Sequence, residues 1–340
     1  MNKSSAVKTD LSLLRVIAAS AIIFLHTCSS VIDQRFRDVY LDPKAYSFFV
    51  TGKIMMKWAL PVFIMITGAL MLDPERKITV RDCLRKYALR MFLVILLFGI
   101  PMAWMARYFH THAITAELLL GGIGDVLTGN SWDHLWYLYE LTAVYLLMPF
   151  IRKASDAMDD KEHMYILAAL FALDFVLPFL YRFLNIQDWL QIPMGYWIFY
   201  LLAGHMLYQK RTEIRKVIPA CAGIVSLVLM IVFCRTDIFR ADAMLVYDNP
   251  LTAVLSMSVF ALVCGRQYSA QKLLWKLDRL CFAVYLIHPF FIHLLYAYLQ
   301  KAPSASGYAA ETLLYYAGFT LVSFACAWLM KLVYPLNKLI

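Results

Sequence analysis

An apolar stretch from Asp10 to Ser30 carries one arginine, Arg15, and one histidine, His26, with no charged residue between them. A guanidinium grips phosphate or carboxylate oxygens through paired N–H donors. An imidazole takes up a proton near neutral pH. The two are eleven residues apart, three turns of helix, so both lie on one helix face about 16 Å apart along the axis. An ionisable group inside a bilayer is costly and normally faces the protein interior or a wet cavity. The pair therefore predicts a lined path through the protein. Each residue also has a plainer reading. Arg15 sits one turn into its span and can snorkel to the headgroups. His26 can be a packing histidine bonded to a neighbouring helix.

The elements that position these residues follow from composition. Of the 340 residues 62% are hydrophobic and 16% charged, against about 25% charged in ordinary soluble domains. Mean hydropathy is +0.64. Apolar segments near 20 residues recur along the chain, each long enough to cross a bilayer core. The expected fold is all-α, a polytopic membrane protein with about ten transmembrane helices and a single domain over residues 1–340. The expected spans are 11–31, 54–72, 88–108, 133–151, 163–181, 194–209, 217–234, 250–265, 280–298 and 310–334. The first has Lys3 and Lys8 ahead of an apolar run, like a signal peptide. It lacks a small-x-small cleavage site and contains Arg15, so it reads as a retained span.

The net charge of +9 is a topology signal and does not point to nucleic acid. With the N-terminus inside, 21 of the 32 Lys and Arg residues fall on one set of loops and eight on the other. The remaining three, Arg15, Lys57 and Arg107, lie within spans. The positive-inside rule then places both termini in the cytoplasm. The seven cysteines form no CxxC pair, which argues against a disulfide framework or a structural zinc site.

Other polar residues fall inside spans. Glu140 lies about 9 Å deeper than His134 in the fourth. Asp174 sits in the middle of the fifth, and His205 toward the inner end of the sixth. Tyr285 and His288 lie mid-span in the ninth, beside Pro289, which loosens the backbone and frees a carbonyl. His293 is five residues beyond His288, so the two point to different faces and make a poor metal pair. Glu140 with Arg107, or Asp174 with Lys57, are possible structural pairs. The outer segment 109–132 carries His110, His112 and a glycine-rich run, Gly121-Gly122-Ile123-Gly124. It has no preceding strand and no GK[ST], so it reads as a loop.

Five motifs in order resemble the acyltransferase-3 family. They are Leu13-Leu14-Arg15-Val16-Ile17-Ala18 with His26; Leu60-Pro61-Val62-Phe63-Ile64-Met65-Ile66-Thr67-Gly68; His134-Leu135-Trp136-Tyr137-Leu138 running to Tyr145-Leu146-Leu147-Met148-Pro149; Phe199-Tyr200-Leu201-Leu202-Ala203-Gly204; and Ala283-Val284-Tyr285-Leu286-Ile287-His288-Pro289. The resemblance covers nearly the whole chain. It departs at Ser12, where the family often has Asp; at Thr67, where it has Ser; and after the second span. There the family's R-x-x-R is replaced by Arg85, Lys86 and Arg90 at other spacings. No hydrolase-like domain follows the tenth span, so the chain resembles the stand-alone form.

The resemblance implies an integral O-acyltransferase of the bacterial cytoplasmic membrane. The implied donor is cytoplasmic acyl-CoA, commonly acetyl-CoA, with no metal. The implied acceptor is a hydroxyl of a cell-surface or lipid-linked glycan. On this reading Arg15, Arg85, Lys86 and Arg90 are candidates for the CoA phosphates. His26 is the general base that takes the hydroxyl proton, or alternatively a covalent carrier. Glu140 orients it. His134, Trp136 and Tyr137 form an aromatic platform for the sugar, with Tyr285 and His288 as wall or site residues. A transporter or flippase also suits charges in mid-membrane, though no inverted repeat is evident. A non-catalytic sensor or assembly subunit would leave Arg15 and His26 idle.

Overall fold

The computed structural model describes residues 8–130, 132, 134–186, 195–236, 244–304 and 306–340. The described residues are helical, with no strand among them. In chain order the helices are α1 (Thr9–Asp33), α2 (Arg37–Tyr40), α3 (Pro43–Met55), α4 (Ala59–Met71), α5 (Val80–Asp82) and α6 (Leu89–Thr111). Next come α7 (Ala116–Leu127), α8 (Trp136–Ala157), α9 (Asp160–Phe171), α10 (Leu177–Leu184) and α11 (Gly195–Gln209). The last are α12 (Val217–Arg235), α13 (Pro250–Val263), α14 (Gln271–His293), α15 (Tyr308–Met330) and α16 (Leu336–Leu339). Short π-helical turns join α5 to α6 and α9 to α10, and extend α14 to Tyr298.

Among the described residues seven helices are long and apolar enough to cross a membrane. They are Thr9–Asp33, Pro43–Met71, Val80–Thr111, Asp160–Leu184, Val217–Arg235, Gln271–Tyr298 and Tyr308–Met330. The protein is thus an all-helical, multi-pass membrane protein. The other three expected spans fall on α8, α11 and α13, which do not reach that combination of length and apolarity. Residues 133 and 194, the first of two expected spans, and Lys3 and Arg240, counted in the charge comparison, lie outside the described residues.

The spans divide by burial. In Pro43–Met71 and Thr9–Asp33 the most apolar window is 72% and 61% buried inside the protein, but in Val217–Arg235 and Tyr308–Met330 only 22% and 17%. Apolar residues exposed all round a helix belong against lipid; those buried all round belong in the core. The first helix and the second apolar segment are therefore the centre of the bundle. α1 packs against α14, α3, α4 and α15. α4 packs most closely on α11. Gly68 lies against the Leu201 backbone and Gly204 against the Met65 backbone, so close that neither position has space for a Cβ. Small residues permit this approach where no hydrophobic force between helices is available.

The glycine-rich run expected as a loop is instead inside α7. Thr115 caps that helix by accepting from the Leu118 N–H at 3.1 Å. The absent side chains of Gly121 and Gly122 leave the space taken by Arg107 and Trp104. Arg107 forks onto Asp125 of the same helix at 2.7 and 2.9 Å. The glycines serve packing, which a local reading of turn propensity does not capture. Arg107 therefore does not pair with Glu140.

Gly68→Ala is expected to destabilise the α4–α11 contact by about 1–3 kcal/mol, the usual range for forced overpacking. The measurement is the thermal unfolding midpoint in detergent. An unchanged midpoint would mean that these two backbones are not in contact.

Candidate functional site

α1 brings Arg15 and His26 to two separate cavities on one side of the helix. Neither side chain is directed into lipid. The expectation of a single continuous path is corrected in one respect: the two cavities share no lining residue.

The cavity at Arg15, called inner after the topology expected from the charge pattern, measures about 420 Å³. Arg15, Arg76, Arg90, Arg279 and Lys331 line it, with one carboxylate, Asp278. Arg15 is ion-paired with Asp278 of α14, and the Ser12 hydroxyl donates to the same carboxylate at 2.8 Å. Ser12 thus stands where the family pattern has an acid, and the acid that answers Arg15 comes from α14. Five cations against one acid make a field suited to an anion with several charges. Apolar and hydroxyl-bearing residues, Phe63, Thr67, Tyr137, Tyr145 and Tyr285, line its remainder. Ile340 also lines it. Arg90 donates to the Leu339 carbonyl at 2.8 Å, and Lys331 to that of Ile340.

Of the expected basic cluster, Arg90 lines this cavity, whereas Arg85 and Lys86 do not. Both are exposed, and Lys86 pairs with Asp82 at 2.6 Å. Arg85 lies in the π-helical turn and Arg90 in α6 beyond it. Arg76, Arg279 and Lys331 take the places instead. They come from the α4–α5 connection, α14 and the end of α15, and their convergence is tertiary.

The outer cavity is smaller, about 190 Å³. It is lined by His26, His134, His293, Lys53, Lys57 and Asp33, together with Trp136 and Tyr247. His26 is only partly buried. Beneath it lies a layer of rings. His288 is fully buried, with its ring centroid 5.2 Å from that of His26 and 5.9 Å from that of His134. Tyr285 is 5.7 Å from both His134 and Tyr137 by the same measure. The Tyr285 hydroxyl donates to the His134 carbonyl. Tyr137 and Tyr285 face the inner cavity and His134 faces the outer, so this aromatic layer is the wall between them.

The hydrogen bonds assign protons within the layer. His288 Nδ1 lies 3.0 Å from the Val284 carbonyl and must donate to it. Its Nε2 then carries the lone pair, and it has no partner among the described residues. His134 Nε2 lies 3.3 Å from the Leu286 carbonyl and donates in the same way. Both imidazoles thus use one N–H on the α14 backbone and keep one basic nitrogen.

The expected aromatic platform is therefore split. His134 and Trp136 belong to the outer cavity, Tyr137 and Tyr285 to the inner one, and His288 to the wall between. Glu140 lines neither cavity; it lies beside the Trp197 indole, so the structure does not bring it to His26. Lys57 does not pair with Asp174 either. Asp174 sits in a π-helical turn against Gly195, while Lys57 is 7% exposed and lies over the Tyr247 ring, 3.8 Å from its centroid. In the outer cavity Lys57, Tyr247 and His293 are residues that sequence reasoning did not assign. The signal for Lys57 was its lone charge inside an apolar stretch.

A family model described as an acyltransferase domain, that of the acyltransferase-3 family, matches residues 8–332, nearly the whole chain. No curated protein and no solved structure matches it. The chain belongs to the acyltransferase-3 family and is, in general terms, a membrane acyltransferase.

The two-cavity arrangement has a direct check. In a background where the seven native cysteines are replaced, Thr67→Cys and Ser29→Cys are expected to react with a membrane-impermeant thiol reagent from opposite faces of sealed vesicles. Labelling of both from the same face would contradict the aromatic wall.

Proposed function

We propose, from membership of this family and the two cavities beside α1, that the protein moves an acyl group, acetyl in the first instance, from acyl-CoA to a glycan hydroxyl. In this reading acyl-CoA binds in the inner cavity from the cytoplasm. The acceptor, on a cell-surface or lipid-linked glycan, enters the outer cavity from the other side. The observation that carries the reading is a single helix with a guanidinium in a cationic cavity and an imidazole in a separate polar one. The excess of Lys and Arg on one set of loops supports ten spans with both termini cytoplasmic. A bacterial inner membrane is the setting that the family resemblance favours.

The chemistry has a defined balance. A His26 ring nitrogen takes the proton of the acceptor hydroxyl as its oxygen attacks the thioester carbonyl. The tetrahedral intermediate collapses, the C–S bond breaks, and CoA leaves as a thiolate. The proton on His26 then passes to that sulfur, which restores the base. Arg15, Arg76 and Arg90 hold the phosphates through charge-assisted hydrogen bonds. Tyr137 and Tyr285 face the end of the donor cavity, so the narrow pantetheine arm must pass their rings to bring the thioester to His26. The His288 Nε2, unpartnered among the described residues, supplies a second basic nitrogen next to His26.

With purified protein and labelled acetyl-CoA, His26→Ala is expected to lower transfer by about 10²–10⁴-fold, the usual contribution of a general base, while the protein still inserts and binds donor. Arg15→Ala is expected to raise the KM for acetyl-CoA about tenfold or more, with a smaller effect on the acceptor, as loss of a charged hydrogen bond predicts. Full transfer by His26→Ala would remove the base assignment. Movement of labelled sugar across vesicles without consumption of acetyl-CoA would favour a transporter.

A further inference from the structure

Lys57 is the most deeply placed cation of the outer cavity. It sits in the break between α3 and α4, where its N–H bonds the Ile54 carbonyl at 3.1 Å. The side chain is 7% exposed and lines the cavity with His26. Its ammonium contacts the face of the Tyr247 ring, and no described carboxylate forms an ion pair with it. Two acids lie in the neighbourhood, and both have other cations. Asp248 receives the Arg182 fork at 2.6 and 3.2 Å. Asp33 has Lys53 at 4.0 Å. Besides Lys53 and Asp33, the cavity is lined by Ser29, Ser30, Gln34, His26, His134 and His293, none of which supplies an anion.

A buried ammonium whose neighbouring counter-charge, Asp248, is already engaged by Arg182 is costly, and an aromatic face offsets only part of that cost. A neutral sugar in this cavity would leave the ammonium uncompensated. A carboxylate or phosphate would compensate it with a charge-assisted hydrogen bond. The cavity, about 190 Å³, is smaller than the sites of drug-sized ligands. The negative group and the hydroxyl presented to His26 must therefore lie on the same sugar unit or directly adjoin.

We propose that the outer cavity is an anion-selective acceptor subsite, and that Lys57 holds a carboxylate or phosphate carried by the sugar whose hydroxyl faces His26. The word acceptor rests on the acyl-transfer reading; the charge preference does not. Its test therefore uses binding without acyl donor. Glucuronic acid, glucose 1-phosphate and glucose are compared on the full-length protein in nanodiscs by saturation-transfer NMR. At least one acidic probe is expected to bind about tenfold or more tightly than glucose, and that advantage is expected to vanish in Lys57→Gln and return in Lys57→Arg. Preference for glucuronic acid identifies an acidic sugar; preference for glucose 1-phosphate identifies a sugar phosphate. Equal binding of all three to the unaltered protein would overturn the proposal, even if no variant folds. So would an acid preference that survives Lys57→Gln. Absence of acetyl transfer to an acidic probe that binds through Lys57 would count against the acyl-transfer reading and leave the subsite standing.

Discussion

A charge inside a bilayer has to be answered by the protein, because lipid offers nothing in return. The spans of this chain satisfy that constraint with partners from distant sequence. Asp278 of α14 answers Arg15 of α1. Asp125 of α7 answers Arg107 of α6, and Asp248 answers Arg182 of α10. The Tyr247 ring lies against Lys57. Each contact makes a charge tolerable and at the same time fixes two segments relative to each other. A partly buried pair adds little net stability, but removal of one partner strands the other. These charges are thus also the registration marks of the bundle.

The same logic explains why the site lies where burial is greatest. α1 and the α3–α4 segment have most of their surface against protein, while α12 and α15 are largely bare. Close backbone contact at Gly68 and Gly204 draws α4 and α11 together and leaves volume elsewhere around α1. Cavities flanked by rigid, closely packed helices hold their polar groups without a large ordering cost on binding.

Much of the scaffold was legible in the sequence, and the site only in part. Long apolar segments declare themselves one at a time, and an eleven-residue spacing determines a helix face without reference to anything else. That suffices for α1 and for the separate depths of Arg15 and His26. Partners are another matter. Arg76, Arg279 and Lys331 share a cavity with Arg15 although three different segments supply them. Glu140 and His134 share a helix region but not a cavity. The glycine run of α7 imitates a loop because turn propensity is local, whereas its actual purpose is to admit Arg107 and Trp104. Lys57 stood out as a charge in an apolar stretch, yet only the fold shows that it opens onto the same cavity as His26.

The wall between the cavities has a physical rationale in the membrane setting. An open channel lined by arginines, lysines and histidines would pass water and ions. A layer of Tyr137, Tyr285, His134 and His288 blocks that route with rings that are each nearly or wholly buried. On the proposed acyl transfer a thioester on a narrow arm must cross it, so the wall has to give locally. The sequence supplies a weak point at the right depth. Pro289 follows His288 and has no N–H to return to the Tyr285 carbonyl, so α14 lacks one rung of its ladder beside the two rings that form the wall. The Tyr285 hydroxyl donates to the His134 carbonyl and the His134 ring donates back to the Leu286 carbonyl, so two polar contacts fasten α14 to α8's approach across the wall. A barrier fastened by two polar contacts next to a loosened turn can yield locally to a narrow ligand and close again, which is the mechanical property that the proposed acyl passage without ion leakage demands.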